Sequence, residues 1–343
     1  MSEKTAAAAK KRVPAAKKNA AAPSAPVPET ETETAESATA AATETVAADA
    51  APPAAAPRLG VRKTYKLFIG GAFPRSESGR SYQVTSADGA FLANAALASR
   101  KDARDAVVKA RAAFSGWSGA TAYLRGQILY RVAEVLEGRR EQFVAEVRAV
   151  QGLGEAEAAA QVDLAIDRWV WYAGWTDKIG QLRSSANPVS GPYWNVSSPE
   201  PTGVVALFAP ERPALLGLVS VLAPAIATGN TAVLVAPDSA ALPAVTLAEV
   251  LATSDLPGGV VNILTGRIAE LGKPLADHLD VDALDLAGVA DAQLAVTLEQ
   301  AAAENLKRVL RPAKAPQDWR EAPGTTRLTA FLETKTVWHP VGA

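Results

Sequence analysis

The sequence predicts an α/β protein: a Rossmann-like, doubly wound parallel sheet preceded by N-terminal helices, with a small β element and a disordered N-terminal tail. Three observations support this. Gly203–Phe208 is a continuous apolar run, the pattern of a strand buried on both faces. Beyond it, short apolar runs alternate with helix-length segments as far as Val309. Residues 1–60 are built of Ala, Pro, Glu, Thr and Lys with almost no large apolar side chains, too little to offset the entropy of ordering them.

Composition narrows the function. The 343 residues carry a formal net charge of −1, so the overall field gives no reason to expect nucleic acid or an acidic membrane as partner. There is no cysteine, which excludes disulfides, thiolate metal sites and thiol nucleophiles within this chain. Two histidines, His278 and His339, argue against a histidine-rich metal site. The longest apolar stretch, Ala214–Thr228, is too short to span a bilayer and reads as a buried helix. With no apolar secretory core at the N-terminus, the expectation is a cytoplasmic protein with no membrane partner. The tail splits into a basic block (Lys10, Lys11, Arg12, Lys17, Lys18) and an acidic one (Glu29, Glu31, Glu33, Glu36). It reads as a solubilising linker or tether. Nucleic-acid contact, which is not expected, would come only through the basic block.

Order should begin near Tyr65. Lys66–Ile69 reads as a strand and Gly70-Gly71 as a turn. Ser99 with Asp102 forms a capping-box pattern that opens a helix through about Phe114. A second helix is expected from about Tyr123 to Val150, with Ile128, Val132, Val135, Leu136 and Phe143 at helical spacing. A third spans about Glu155 to Ile179. Its Trp169, Trp171, Tyr172 and Trp175 read as helix packing, because aromatic rings bury much area per residue. After Asn187-Pro188, Tyr193–Ser198 alternates like an exposed strand, part of a hairpin over about 187–201. The sheet then follows as strand Gly203–Phe208, helix Leu215–Ala227, strand Thr231–Val235, helix Pro243–Ala252, strand Val260–Leu264, strand Ala283–Leu286 and helix Asp291–Glu304.

An ordered series of short motifs adds a resemblance. Ala165-Ile-Asp-Arg168, Tyr172-Ala-Gly-Trp175, Glu200-Pro-Thr-Gly-Val-Val205, Leu222-Ala-Pro-Ala225, Ala227-Thr-Gly-Asn-Thr231, Leu256-Pro-Gly-Gly-Val-Val-Asn262, Thr265-Gly266 and Asp280-Val-Asp282 occur in the order and spacing of the aldehyde dehydrogenase superfamily. From about Tyr65 to Leu310 the chain resembles that family's N-terminal helices and coenzyme domain. The resemblance also marks departures. Where the family's Pro-Trp-Asn-Phe-Pro stretch supplies an oxyanion-stabilising Asn, this chain has Pro210-Glu-Arg-Pro-Ala214, with Arg212 at the Asn position. The Lys and Glu that hold the family's adenosine ribose correspond to Val235 and Asp238. The family's Phe-Thr-Gly-Ser turn near the pyrophosphate corresponds to Leu286-Ala-Gly-Val289, which keeps Gly288 but not the Ser, and Gln293 stands at the later Gly. The resemblance therefore implies no resident cofactor and at most vestigial NAD(P) binding around Asp238, Gly266 and Gly288.

Asn305–Val309 resembles the strand that leads into the family's Glu-Leu-Gly-Gly, where Glu is the general base. Here Leu310-Arg-Pro-Ala-Lys314 follows instead. Phe331–Trp338 resembles the family's C-terminal oligomerisation strand. The resemblance thus divides the chain into a tail (1–60), N-terminal helices plus coenzyme-type domain (61–310), a linker in place of the catalytic domain (311–328) and an assembly strand (329–343). It implies no catalytic residue and a truncated pseudoenzyme. Its expected role is a structural or regulatory subunit that joins a full-length aldehyde dehydrogenase paralogue, self-associates, or does both. The alternative is a homo-oligomeric scaffold or a degenerate nucleotide sensor. The expected assembly residues are Tyr193, Trp194, Val196, Phe331, Leu332, Val337 and Trp338.

Overall fold

A computed structural model describes residues 61–315 and 317–342. The tail expected over residues 1–60, with both charged blocks, lies outside the described residues. Strands β1 (Thr64–Tyr65), β2 (Ser81–Thr85) and β3 (Phe91–Ala96) form a small sheet in the order β1-β3-β2. Helices α1 (Arg100–Gly119), α2 (Ala122–Glu137), α3 (Arg140–Gln151), α4 (Glu155–Ala173) and α5 (Ile179–Arg183) follow, then β4 (Ser185–Asn187) and β5 (Tyr193–Pro201). The alternating region runs β6 (Val204–Phe208), α6 (Ala214–Ala227), β7 (Thr231–Ala236), α7 (Ala241–Ala252), β8 (Val261–Thr265), α8 (Ile268–Asp277), β9 (Ala283–Asp285), α9 (Ala292–Ala303) and β10 (Arg308–Leu310). Helix α10 (Thr326–Ala330) and β11 (Leu332–Pro340) come last.

The central sheet is five-stranded and parallel, in the order β10-β9-β6-β7-β8. This is the doubly wound arrangement expected from the sequence. Alternate residues of β6 feed two cores. Val205 and Leu207 pack with α2, α4, α6 and α7, whereas Val204, Ala206 and Phe208 pack with α1, α8 and α9. Because both faces are covered, the strand is apolar throughout. Ahead of β6, Gly203 has φ +142, and a Cβ there would lie 1.9 Å from Asp282 Oδ2. Its bare backbone lets that carboxylate accept from the Val204 amide (2.7 Å) and Arg111 (2.6 Å).

The Ser99 capping box forms as expected: Asp102 N donates to Ser99 Oγ, and Ser99 N donates to Asp102 Oδ2 (2.8 Å). Several boundaries differ. The helix expected over Tyr123–Val150 is two, α2 and α3, separated at Gly138-Arg139. Leu136 and Phe143 both reach the same core, so the apolar stripe runs across the break and hides it. The third helix stops at Gly174, and α5 is separate. Of the strand expected at Lys66–Ile69, Phe68 and Ile69 make only isolated bridges, to Ile263 and Ala72; the short strand lies at Thr64–Tyr65. Strands β2 and β3 and helix α8 are additions to the sequence reading.

The largest difference concerns residues 311–328, expected to be a linker. From Trp319 onward they form a docked strap. Trp319 is buried in the core that holds α4 and α6. The buried Arg168 guanidinium on α4 donates to Trp319 O (2.6 Å), Glu321 O (2.7 Å) and Ser220 Oγ on α6 (2.7 Å). Arg327 pairs with Asp285 at the end of β9, and its guanidinium carbon lies 5.0 Å from the Trp319 ring centroid. An indole and two guanidinium groups thus fasten the strap to a helix pair and a sheet edge.

Candidate functional site

Two regions are candidates: the carboxyl end of the central sheet and the outer sheet made by β11, β5 and β4. In doubly wound sheets, ligands bind where the strand order reverses. Here that point lies between the neighbours β6 and β9. The loop after β9 sits on it. Gly288 N donates to Phe208 O (2.8 Å), and a Cβ at Gly288 would lie 2.1 Å from Ala209 O. Gly288 therefore serves a close backbone approach, and its amide is already used. Val289 is buried behind it.

A phosphate at this end would look to the N-terminus of α9. Those amides are taken: Asp291 Oδ1 accepts from Gln293 N (2.8 Å) and Leu294 N (3.2 Å). The capping carboxylate satisfies the helix and repels a second anion. The corner below β7 is also acidic. Asp238 is exposed, with Oδ1 accepting from Ser239 N (3.0 Å) and its carbonyl from Tyr82 Oη (3.1 Å), while Ser239 Oγ donates to Glu211 (2.6 Å). Burial, reinforced by Asp238 and Glu211, pushes the Tyr82 hydroxyl well above its ordinary value. Gly266 is buried at φ +146, where a Cβ would lie 3.4 Å from the Ala98 amide, and serves the turn after β8. Asp238, Gly266 and Gly288 therefore have local structural partners, and no hydrogen bond among the described residues links them. Arg212 is exposed, and its guanidinium contacts Gln151 O (3.4 Å).

The outer sheet has the order β11-β5-β4 and is antiparallel. It joins the two segments that the sequence singled out at opposite sides of the central domain. Phe331 is a correction: it precedes the strand and is 1% exposed, packed into the main core rather than offered to a partner. Its carbonyl accepts from Asn230 Nδ2 (2.9 Å) and Thr202 N (3.2 Å), so it anchors the strand's start. Leu332 is half-buried.

Beyond that anchor the sheet leaves the body. The register sets Trp194, Val196, Val337 and His339 on one face and Tyr193, Asn195, Ser197, Thr336 and Trp338 on the other. Trp194 is 61% exposed and Trp338 58%, and Tyr193 and Val337 are also exposed. Val196 is half-buried. Tyr193 and Trp338 meet edge to face, with centroids 5.8 Å apart. A polar ladder braces this face: Asn187 Nδ2 donates to Asn195 Oδ1 (2.6 Å) and Ser197 Oγ (2.8 Å), and Ser197 Oγ shares a hydrogen bond with Thr336 (2.8 Å). Strand β11 is an outer edge of nine residues. Glu333 and Lys335 pair with Arg308 and Glu200, but Thr336–Trp338 carries no charge. An open edge with large exposed rings leaves backbone groups and apolar surface uncovered.

Sequence reasoning missed Arg168, Asp285, Trp319 and Arg327 as a unit. The available signal was Trp319 itself, a large aromatic in an otherwise polar, proline-bearing segment. It also passed over Asp291 as the residue that closes the α9 terminus to anions. Among the described residues, no cluster of His, Cys, Asp and Glu is placed to hold a metal, and no helix is long and apolar enough to cross a membrane.

Comparison with known proteins gives a consistent result. The profile of the "Aldehyde dehydrogenase family" matches residues 73–332. Mouse "Cytosolic 10-formyltetrahydrofolate dehydrogenase" is 31% identical over 262 residues, covering 74% of this chain and 29% of that protein. Human "Retinal dehydrogenase 2" is 32% identical over 263 residues, covering 75% and 50%. PnpE from Pseudomonas sp. WBC-3 superposes with a TM-score of 0.68 at 28% identity, covering 72% and 50%. The NAD+ complex of aldehyde dehydrogenase from Bacillus cereus gives 0.67 at 27% identity, with the same coverage. The chain spans half or less of the length of these relatives.

Proposed function

Because this chain belongs to the aldehyde dehydrogenase family, we propose that it is a non-catalytic structural or regulatory subunit that assembles with a full-length, active aldehyde dehydrogenase. One observation carries the proposal: an outer sheet with an open edge and with Trp194 and Trp338 exposed on opposite faces, joined to a body that contains no cysteine. A thiolate is the nucleophile that the family mechanism requires, and the sequence contains no cysteine to supply it. A three-stranded sheet with exposed aromatic rings on both faces gains stability from a partner that covers them. A cytoplasmic location belongs to the same proposal. Co-expression with a full-length paralogue, followed by size-exclusion chromatography, tests it. The expected result is a stable hetero-complex. A chain that elutes only with copies of itself, whichever paralogue is present, would leave the homo-oligomeric scaffold reading in its place.

The proposal includes loss of a working dinucleotide site. The supporting geometry is the Asp291 carboxylate on the α9 amides, the Gly288 amide bonded to Phe208 O, and the acidic Asp238–Glu211 corner. Calorimetric titration of the purified chain with NAD and NADP should give no binding tighter than about 1 mM. Micromolar binding of either would favour a nucleotide sensor instead.

A further inference from the structure

Where the small sheet meets α3 and α7, a carboxyl group is closed inside the protein. Glu146, on α3, is 8% exposed. Its Oε1 accepts from Thr246 Oγ1 of α7 (2.8 Å), from Gln142 Nε2 one turn earlier on α3 (3.0 Å) and from Tyr65 Oη of β1 (3.5 Å). Its Oε2 is sealed from solvent and has no hydrogen-bond partner among the described residues. Tyr65 itself packs with Val150 at the end of α3 and with Leu242 and Val245 of α7, so β1 is one wall of this enclosure.

The charged and titratable groups around Glu146 come from each element that meets there. Lys63 and Tyr65 belong to the β1 segment, Arg139 to the turn between α2 and α3, and Glu249 to α7. Both cations are spent on Glu249, Lys63 at 2.6 Å and Arg139 at 2.7 Å, and neither forms an ion pair with Glu146. Burial pushes the Glu146 carboxyl above its ordinary range. The Thr246 and Gln142 hydrogen bonds, then Lys63 and Arg139, pull it back only in part. Burial, with the charges of Glu146 and Glu249, holds the Tyr65 hydroxyl well above its ordinary value, so it stays a donor.

We propose that Glu146 is a pH-operated latch on β1: protonated, it leaves the strand docked on α3 and α7, and ionised, it loosens that dock. A buried carboxylate calls for donors on both oxygens. The donors of α3 and α7 already converge on Oε1, and Oε2 has none, so ionisation draws water in. The wall that yields is β1, because Tyr65 holds by the longest of the three bonds. The new charge also competes with Glu249 for Lys63, whose Nζ lies 4.7 Å from the Tyr65 ring centroid. A carboxyl whose value is raised in the docked state binds its proton more tightly there. Docking is therefore complete at low pH and weakens as pH rises through the docked value. The latch does not depend on the subunit reading.

Hydrogen exchange of the full chain, corrected for intrinsic exchange and followed peptide by peptide from about pH 5.5 to about pH 8.5, tests the proposal. Opening of Thr64–Phe68 should rise about tenfold or more over that range, because each pH unit above the docked value weakens the dock by up to a factor of ten. A peptide from β9 should show no such rise. Glu146→Gln keeps the shape without the charge, and should hold Thr64–Phe68 at the low-pH level throughout. If Glu146→Gln fails to fold, Thr246→Val decides in its place. That variant removes one donor to the carboxylate and should move the rise to higher pH. No rise in the parent chain, an equal rise in Glu146→Gln, or a rise left in place by Thr246→Val would each overturn the proposal.

Discussion

Arg327→Met is expected to destabilise the chain by about 3–5 kcal/mol, the cost of stranding a buried charge. Asp285, its partner, has a fully buried side chain, while that of Arg327 is 16% exposed. The remaining help to the carboxylate is one hydrogen bond from the Ala287 amide (3.0 Å). The same arginine covers Trp319, so the strap loosens with it. At roughly 2–4 °C per kcal/mol, the melting temperature should fall by about 6 °C or more. Asp285→Asn in the same chain should recover most of the loss, because a neutral amide needs no counter-ion. The effect has a pH signature. Burial pushes the Asp285 carboxyl above its ordinary range, and Arg327 pulls it back. A carboxyl raised in the folded state binds its proton more tightly there than in the unfolded chain. The stability it contributes is present at low pH and lost as pH rises through the folded value. Removing Arg327 strengthens that tendency, so the deficit should be smaller near about pH 5 than near about pH 8. A variant that melts within about 1 kcal/mol of the parent would show that the strap is not held by this pair.

Trp338→Ser should weaken assembly with a full-length partner by about 30-fold or more, the effect typical of a buried aromatic anchor. The uncomplexed chain should hardly respond. Trp338 is 58% exposed, and its described ring contact is Tyr193, worth about 0.5–1.5 kcal/mol beyond area burial. The two readouts must therefore separate, with complex formation lost and the melting temperature nearly kept. Val108→Ser, at an exposed position on α1, serves as the control and should leave the complex intact. Sedimentation velocity at several concentrations measures complex formation, and thermal unfolding of the uncomplexed chain gives the melting temperature. An unchanged complex for Trp338→Ser would remove the outer sheet from the interface.

The alternating region was legible in the sequence because burial on both faces writes a simple pattern. Val204 to Phe208 are apolar without exception, and the helices between strands have ordinary lengths. The break between α2 and α3 was not legible, since Leu136 and Phe143 serve one core on both sides of it. Strands β2 and β3 escaped because their alternation is weak: Ser81–Thr85 buries only Val84. For the candidate sites the divide is similar. The outer sheet could be read from Tyr193–Ser198 and Phe331–Trp338, two local patterns. Whether Phe331 faces a partner or the core depends on Asn230 and Thr202, far away along the chain, and the sequence reading placed it outside. The strap was the hardest to read, because nothing local distinguishes a docked polar segment from a slack one. Its single large aromatic, Trp319, is held at its carbonyl by Arg168, 151 residues earlier.

Strands β5 and β11 meet through residues such as Ser197 and Thr336, 139 positions apart along the chain. Closing so long a loop costs entropy that local contacts do not return, so such a pairing forms late in folding. Its start is anchored where the Phe331 carbonyl accepts from Asn230 Nδ2. The outer sheet is thus a product of finished folding: a chain whose sheet, helices or strap have not yet packed has no Trp338 beside Tyr193 to offer. If the proposed partner recognises that pair, it would receive only molecules already folded, and binding would report on the state of the chain.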